Sequence, residues 1–229
     1  MSVRGVGMLS LLLINAALLG VTAAGSASSH DASTWYPKPW SITYVPYVID
    51  PSVRLGMRPG MKAGLENYSN LAGGNGPNFV FGGEVNTDLD FDPCDVGPNA
   101  VFEMEDYTYA LTGVHENGLA VTLGCTNSTD FLGFEQVFES TPTWGGGDTD
   151  WYQGTSAPPA GRWDLRSVAT HEAGHATGFA GHFGNAADLC PSPRTASAHT
   201  MCSGSQSALG TIFLRTLEEH DLHTIGNAY

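Results

Sequence analysis

Two histidines four residues apart, His171 and His175, enclose a glutamate in the segment His171-Glu172-Ala173-Gly174-His175. On a helix, positions i and i+4 share one face, so both imidazoles can aim a nitrogen at one ion. Glu172 lies beside the first histidine and can reach a water on that ion without being a ligand. The chain continues Ala176-Thr177-Gly178-Phe179-Ala180-Gly181-His182. Gly178 can break the helix and fold the chain back, bringing in His182 as a third ligand; Asp188 and His199 are the alternatives. Three neutral nitrogens and one open position describe a catalytic zinc site, where the pKa of water drops from about 15.7 towards 7. Glu172 can then take a proton from the attacking water and hand it to the amine that leaves a cleaved peptide bond. The two-histidine spacing is common by itself. The glycine, the third histidine, the predicted helix and an export signal give it weight.

A helix must carry these groups, and Asp164 can cap one running to about Thr177. Leu165, Val168, Ala169, Ala176 and Phe179 allow it one buried stripe, and Gly178 can end it in a left-handed turn. Upstream, Trp40 to Ile49 reads as a first strand, with Pro46 suggesting an edge or a bulge. Leu55, Met57, Met61, Leu65 and Tyr68 approach helical spacing within a predicted helix from Arg54 to Leu71, weakened by Pro59 and Gly64. Further strands are expected at Asn78 to Val85, Val101 to Tyr109, Gly118 to Cys125 and Phe134 to Glu139, with a loop around His115-Glu116-Asn117-Gly118. Thr141 to Gly161 and residues 180 to 212 read as mostly irregular. A last helix is expected from Thr216, with Glu219 completing a capping box, almost to Tyr229.

The chain has 229 residues, with 9 Lys and Arg against 23 Asp and Glu, for a formal charge of -14. That balance excludes a nucleic-acid binder and a basic membrane-surface protein. Hydrophobic residues at 41% and aromatics at 10% suffice for a core. Arg4, an apolar run from Met8 to Val21 and small residues from Ala23 to Ala27 have the layout of a secretory signal peptide, so residues 1–27 are set apart from a domain at 28–229. No other segment reads as a membrane span. Four cysteines in an exported chain suggest two disulfides. The most local of three pairings is Cys94–Cys125 with Cys190–Cys202, and no C-x-x-C is present for a cysteine-type zinc site. A Cys190–Cys202 loop would contribute roughly 3 kcal/mol in the chain-entropy model.

The His171-to-His182 segment resembles the metzincin zinc metallopeptidases, matrixin-like members in particular, whose pattern is H-E-x-x-H-x-x-G-x-x-H followed by a methionine turn. The resemblance extends over Trp40 to Tyr229. It implies an α+β zincin fold: a twisted, mixed five-stranded sheet with two long helices, a small irregular lower lobe and a C-terminal helix. The upper lobe would span about 36–178 and the lower about 179–229. It assigns zinc to His171, His175 and His182, the general base to Glu172, and the methionine turn to Met201. It makes Gly118-Leu119-Ala120-Val121-Thr122-Leu123 an antiparallel edge strand along which an extended substrate peptide would pair. Two departures stand out. The third histidine falls eleven residues after the first rather than ten, with Gly181 at the usual position, and Ser203 occupies a place where some relatives carry a tyrosine.

Other groups have plainer readings. Asp88-Leu89-Asp90-Phe91-Asp92 alternates carboxylates and is a calcium candidate, but lacks the glycine and distal glutamate of an EF-hand loop. A solvated acidic edge is the favoured reading, and Gly147-Asp148-Thr149-Asp150 is an equally weak calcium candidate. His220 and His223 could hold a second metal but read as surface histidines, and Asp221 as an anchor for the last helix near Met201. Trp144, Trp151 and Trp163 belong either to the core or to a cleft wall. The expectation is a secreted, monomeric zinc metalloendopeptidase acting on protein or peptide segments. The rivals are a non-catalytic secreted zinc protein and a carbohydrate-binding module using its tryptophans.

Overall fold

A computed structural model describes residues 39–69, 76–95, 97–113, 118–142, 150–178, 200–202, 210–218, 221–222, 225 and 229. Five strands form one sheet: β1 (Tyr44–Ile49), β2 (Asn78–Glu84), β3 (Asn99–Met104), β4 (Ala120–Thr126) and β5 (Phe131–Glu139). Their order is β2-β1-β3-β5-β4. All pairs are parallel except β4 with β5, so the sheet is mixed and β4 is its antiparallel edge. The helices are α1 (Arg58–Glu66), α2 (Tyr107–Thr112) and α3 (Leu165–Ala176). A two-stranded piece, β6 (Trp151–Tyr152) with β7 (Trp163–Asp164), precedes α3, and a single 3₁₀ turn spans Phe213–Arg215.

Strand periodicity sorts side chains onto two faces. Tyr47, Ile49, Val101, Phe134 and Phe138 join Met61 and Leu65 of α1 and Leu165, Ala169 and Ala173 of α3 in the larger core. Val48, Ala100, Phe102, Val121, Leu123 and Val137 point the other way, onto Tyr107 of α2. Each fully buried large apolar side chain stabilises the fold by about 1.5–3 kcal/mol. Helices α1 and α3 cross where Gly64 meets Ala169: a Cβ at Gly64 would lie 2.5 Å from the Ala169 carbonyl carbon. The glycine that weakened the helix in sequence thus permits the helix crossing.

Several boundaries differ from the sequence expectations. Helix α1 has nine residues rather than the whole of Arg54 to Leu71. Pro59 sits in its first turn, where its missing N–H costs nothing. Its end tightens through Tyr68 N to Leu65 O and Ser69 N to Glu66 O bonds. β3 stops at Met104 instead of reaching Tyr109, because Asp106 adopts φ 53°, a left-handed conformation that ends an extended strand. The residues beyond it form α2. β1 is an interior strand, yet Pro46 is tolerated, since β3 pairs only from Tyr47 onward. The expected bulge follows, between Tyr47 and Ile49. β4 and β5 run from Ala120 and Phe131, and the isolated bridge from Trp40 to Phe131 lies ahead of β1.

The last helix is helical at Asp221, Leu222 and Ile225. Its expected capping residue Glu219 lies outside the described residues; the Glu218 amide donates to Asp221 Oδ2 at 2.9 Å. Cys94 and Cys125 form a disulfide. Cys202 is also disulfide-bonded, and its expected partner, Cys190, lies outside the described residues. No helix among the described residues is long and apolar enough to cross a membrane; the leader at residues 1–27 falls outside them.

Candidate functional site

Asp164 begins α3 by accepting from the Ser167 amide at 2.9 Å. Arg215 grips the same carboxylate, Nε to Oδ2 at 2.8 Å and Nη2 to Oδ1, while its Nη1 and Nη2 donate to Thr155 O and Gly154 O. The far end of α3 is held as firmly. Trp40 Nε1 donates to Ala176 O at 2.7 Å, Tyr229 Oη donates to Thr177 O at 2.8 Å, and Gly178 turns the chain away at φ 98°. The expected helix and its glycine terminator are both present.

On this helix His171 and His175 stand one turn apart, ring centroids 5.1 Å from each other. His171 Nδ1 lies 2.7 Å from Thr200 O. A carbonyl only accepts, so Nδ1 carries the proton and Nε2 keeps its lone pair, the tautomer a metal requires. Burial pushes the His171 pKa down to about 4, holding the ring neutral. Thr200 is fixed in turn, since its amide donates to Asp221 Oδ2 at 3.1 Å. Asp221 therefore ties the last helix to the turn containing Met201. Met201 is wholly buried, beneath Gly174, where any Cβ would overlap its sulfur. Tyr68 Oη lies 3.8 Å from the same sulfur.

Glu172 is buried between α3 and β4. Thr122 Oγ1 donates to Glu172 Oε2 at 2.8 Å and approaches Glu172 O at 3.0 Å. Burial raises the Glu172 pKa to about 7, and the Thr122 hydrogen bonds oppose that rise. In the sequence Thr122 reads only as part of the edge strand and Arg215 carries no signal; their contacts to Glu172 and Asp164 span 50 and 51 positions of chain.

The described residues bring together His171, Glu172, His175, Met201 and Asp221. His182, Asp188, His199, Ser203, His220 and His223 lie outside them, and no group of three His, Cys, Asp or Glu suited to a metal occurs among the described residues. Asp88, Asp90, Asp92, Asp95 and Glu135 do line one cavity of about 210 Å³. Among the described residues they form no group suited to a metal. Asp150 is exposed and faces Arg162, while Gly147 to Thr149 are outside the described residues. Trp151 and Trp163 are core residues, the former donating to Glu139 O at 2.7 Å. Trp144 is not among the described residues.

No protein-family model matches the chain, and no curated protein matches it. Among solved structures it is similar to high choriolytic enzyme 1, a hatching enzyme zinc-protease from the medaka fish Oryzias latipes. The match covers 90% of this chain and 100% of that one, at 12% identity and a TM-score of 0.34. A score of that size does not establish a shared fold. The architecture itself, a mixed five-stranded sheet with few helices, is compatible with a zincin-like fold.

Proposed function

We propose that this chain is a secreted, matrixin-like metzincin: a zinc-dependent metalloendopeptidase that cleaves extended protein or peptide segments. The observation that carries the proposal is the α3 triplet. Two imidazoles share one face of a buried helix, one of them fixed in the metal-binding tautomer by Thr200 O, with a buried carboxylate between them in sequence. Such donors suit zinc, which neutral imidazole nitrogens bind well. His171, His175 and His182 would hold it. When bound, zinc supplies Lewis acidity that polarises a carbonyl and lowers the pKa of water.

The remaining chemistry belongs to the chain. Thr122 holds Glu172 through Oε2, and the Glu172 carboxylate would take the proton of the attacking water and return it to the departing amine. Among the described residues, edge strand β4 has one side without a neighbouring strand, which suits an extended peptide added as a further strand. The leader at 1–27, a catalytic domain at 28–229 and a monomeric state form part of the same reading. The Cys94–Cys125 disulfide supports an oxidising, extracellular compartment. Burial of Trp151 and Trp163 weighs against the carbohydrate-binding alternative, which needs exposed aromatic platforms.

The test is cleavage of an unfolded protein by the zinc-loaded chain, with and without chelator, beside Glu172→Ala. Chelation is expected to abolish cleavage. Glu172→Ala is expected to lower it by about 10²–10⁴-fold with zinc still bound. A folded, zinc-loaded wild type inert on every peptide would overturn the proposal in favour of a non-catalytic zinc protein.

A further inference from the structure

We infer that Thr122 is a positioning residue that couples the general base to the edge strand. The inference rests on the peptidase reading above and adds to it a residue outside the histidine motif. β4 alternates: Val121 and Leu123 pack on the face with α2, so Thr122 projects towards α3. Its side chain is almost wholly buried, and its β-branched carbon restricts χ1. The hydroxyl has one proton, directed to Glu172 Oε2 at 2.8 Å, with Glu172 O a second contact at 3.0 Å. The Thr122 backbone hydrogen-bonds the same carboxylate, so β4 holds Glu172 through main chain and side chain together. The hydroxyl thus orients the Glu172 carboxylate and ties it to the strand that would align a substrate backbone.

Valine has nearly the shape of threonine but no hydroxyl, and serine keeps the hydroxyl, so the two variants separate hydrogen bonding from packing. In zinc-loaded full-length protein, Thr122→Val is expected to lower kcat by about ten- to hundredfold, the size of a lost hydrogen bond to a charged group. KM should change by less than about twofold, because substrate pairing with β4 uses the backbone. Zinc content should not change. Thr122→Ser should restore kcat to within about threefold of wild type; a kcat as low as that of Thr122→Val would assign the effect to packing and overturn the inference. A Thr122→Val kcat within about twofold of wild type would overturn it as well. If the valine variant does not fold, Thr122→Ala replaces it under the same criteria. An inactive wild type would instead defeat the peptidase reading, so the two failures are distinguishable.

Discussion

Replacing Arg215 with methionine tests how the start of the histidine-bearing helix is held. Arg215 makes two bonds to Asp164 and one each to Thr155 O and Gly154 O. Two magnitudes compete. An exposed ion pair contributes only about 0–1 kcal/mol, whereas breaking a buried pair costs about 3–5 kcal/mol by stranding the remaining charge. Burial decides between them: Asp164 is 0% exposed and Arg215 7%. Within the larger range the lower end applies, because Asp164 still accepts from Ser167 N and Oγ. Residues 154 and 155 are exposed, so their carbonyls can turn to water. The expected loss is about 3 kcal/mol, or roughly 6–12 °C in Tm for a chain of this size. Urea denaturation followed by circular dichroism measures it. Arg215→Lys should fall between, keeping the charge but not the planar fork. Arg215→Met combined with Asp164→Asn should cost less than the sum of the single changes, since no carboxylate remains to be stranded. An Arg215→Met protein within about 1 kcal/mol of wild type would refute the argument from burial.

Two further outcomes follow from the core and the acidic edge. Gly64→Ala should gain about 1 kcal/mol of helix propensity yet be destabilised overall by about 1–2 kcal/mol, because the new Cβ meets Ala169 backbone that cannot yield. Chemical denaturation showing a more stable variant would contradict the close α1–α3 approach. Glu135 has its pKa raised to about 7, first by burial and then by Asp90 and Asp92. A carboxyl raised in the folded state stabilises fully below its unfolded pKa, near 4.3, and loses that contribution as pH rises through about 7. Glu135→Gln should therefore gain stability relative to wild type across that window, and an unchanged difference between pH 4 and 8 would refute it.

Much of the sheet was legible from alternation and β-branching, and α3 from its cap, its apolar stripe and Gly178. The misjudged boundaries have local physical causes. Pro59 opens α1 instead of merely weakening it, and Asp106 takes a left-handed turn where the pattern alone continues β3. Of the edge or bulge that Pro46 suggested, the bulge is present and the edge is not, because sequence does not reveal where a neighbouring strand begins.

The spacing of His171, Glu172 and His175 determined by itself that two imidazoles share a helix face with a carboxylate beside them, since 3.6 residues per turn is a property of the backbone. It could not supply Thr200 O behind His171, Met201 under Gly174, Thr122 on Glu172 or Arg215 on Asp164. Those partners lie 27 to 51 positions away in sequence, as with Thr200 at 29, Thr122 at 50 and Arg215 at 51. Only packing of the sheet against the helices decides which distant polar group reaches a buried one, because each buried donor and acceptor must find its partner wherever the chain brings one near.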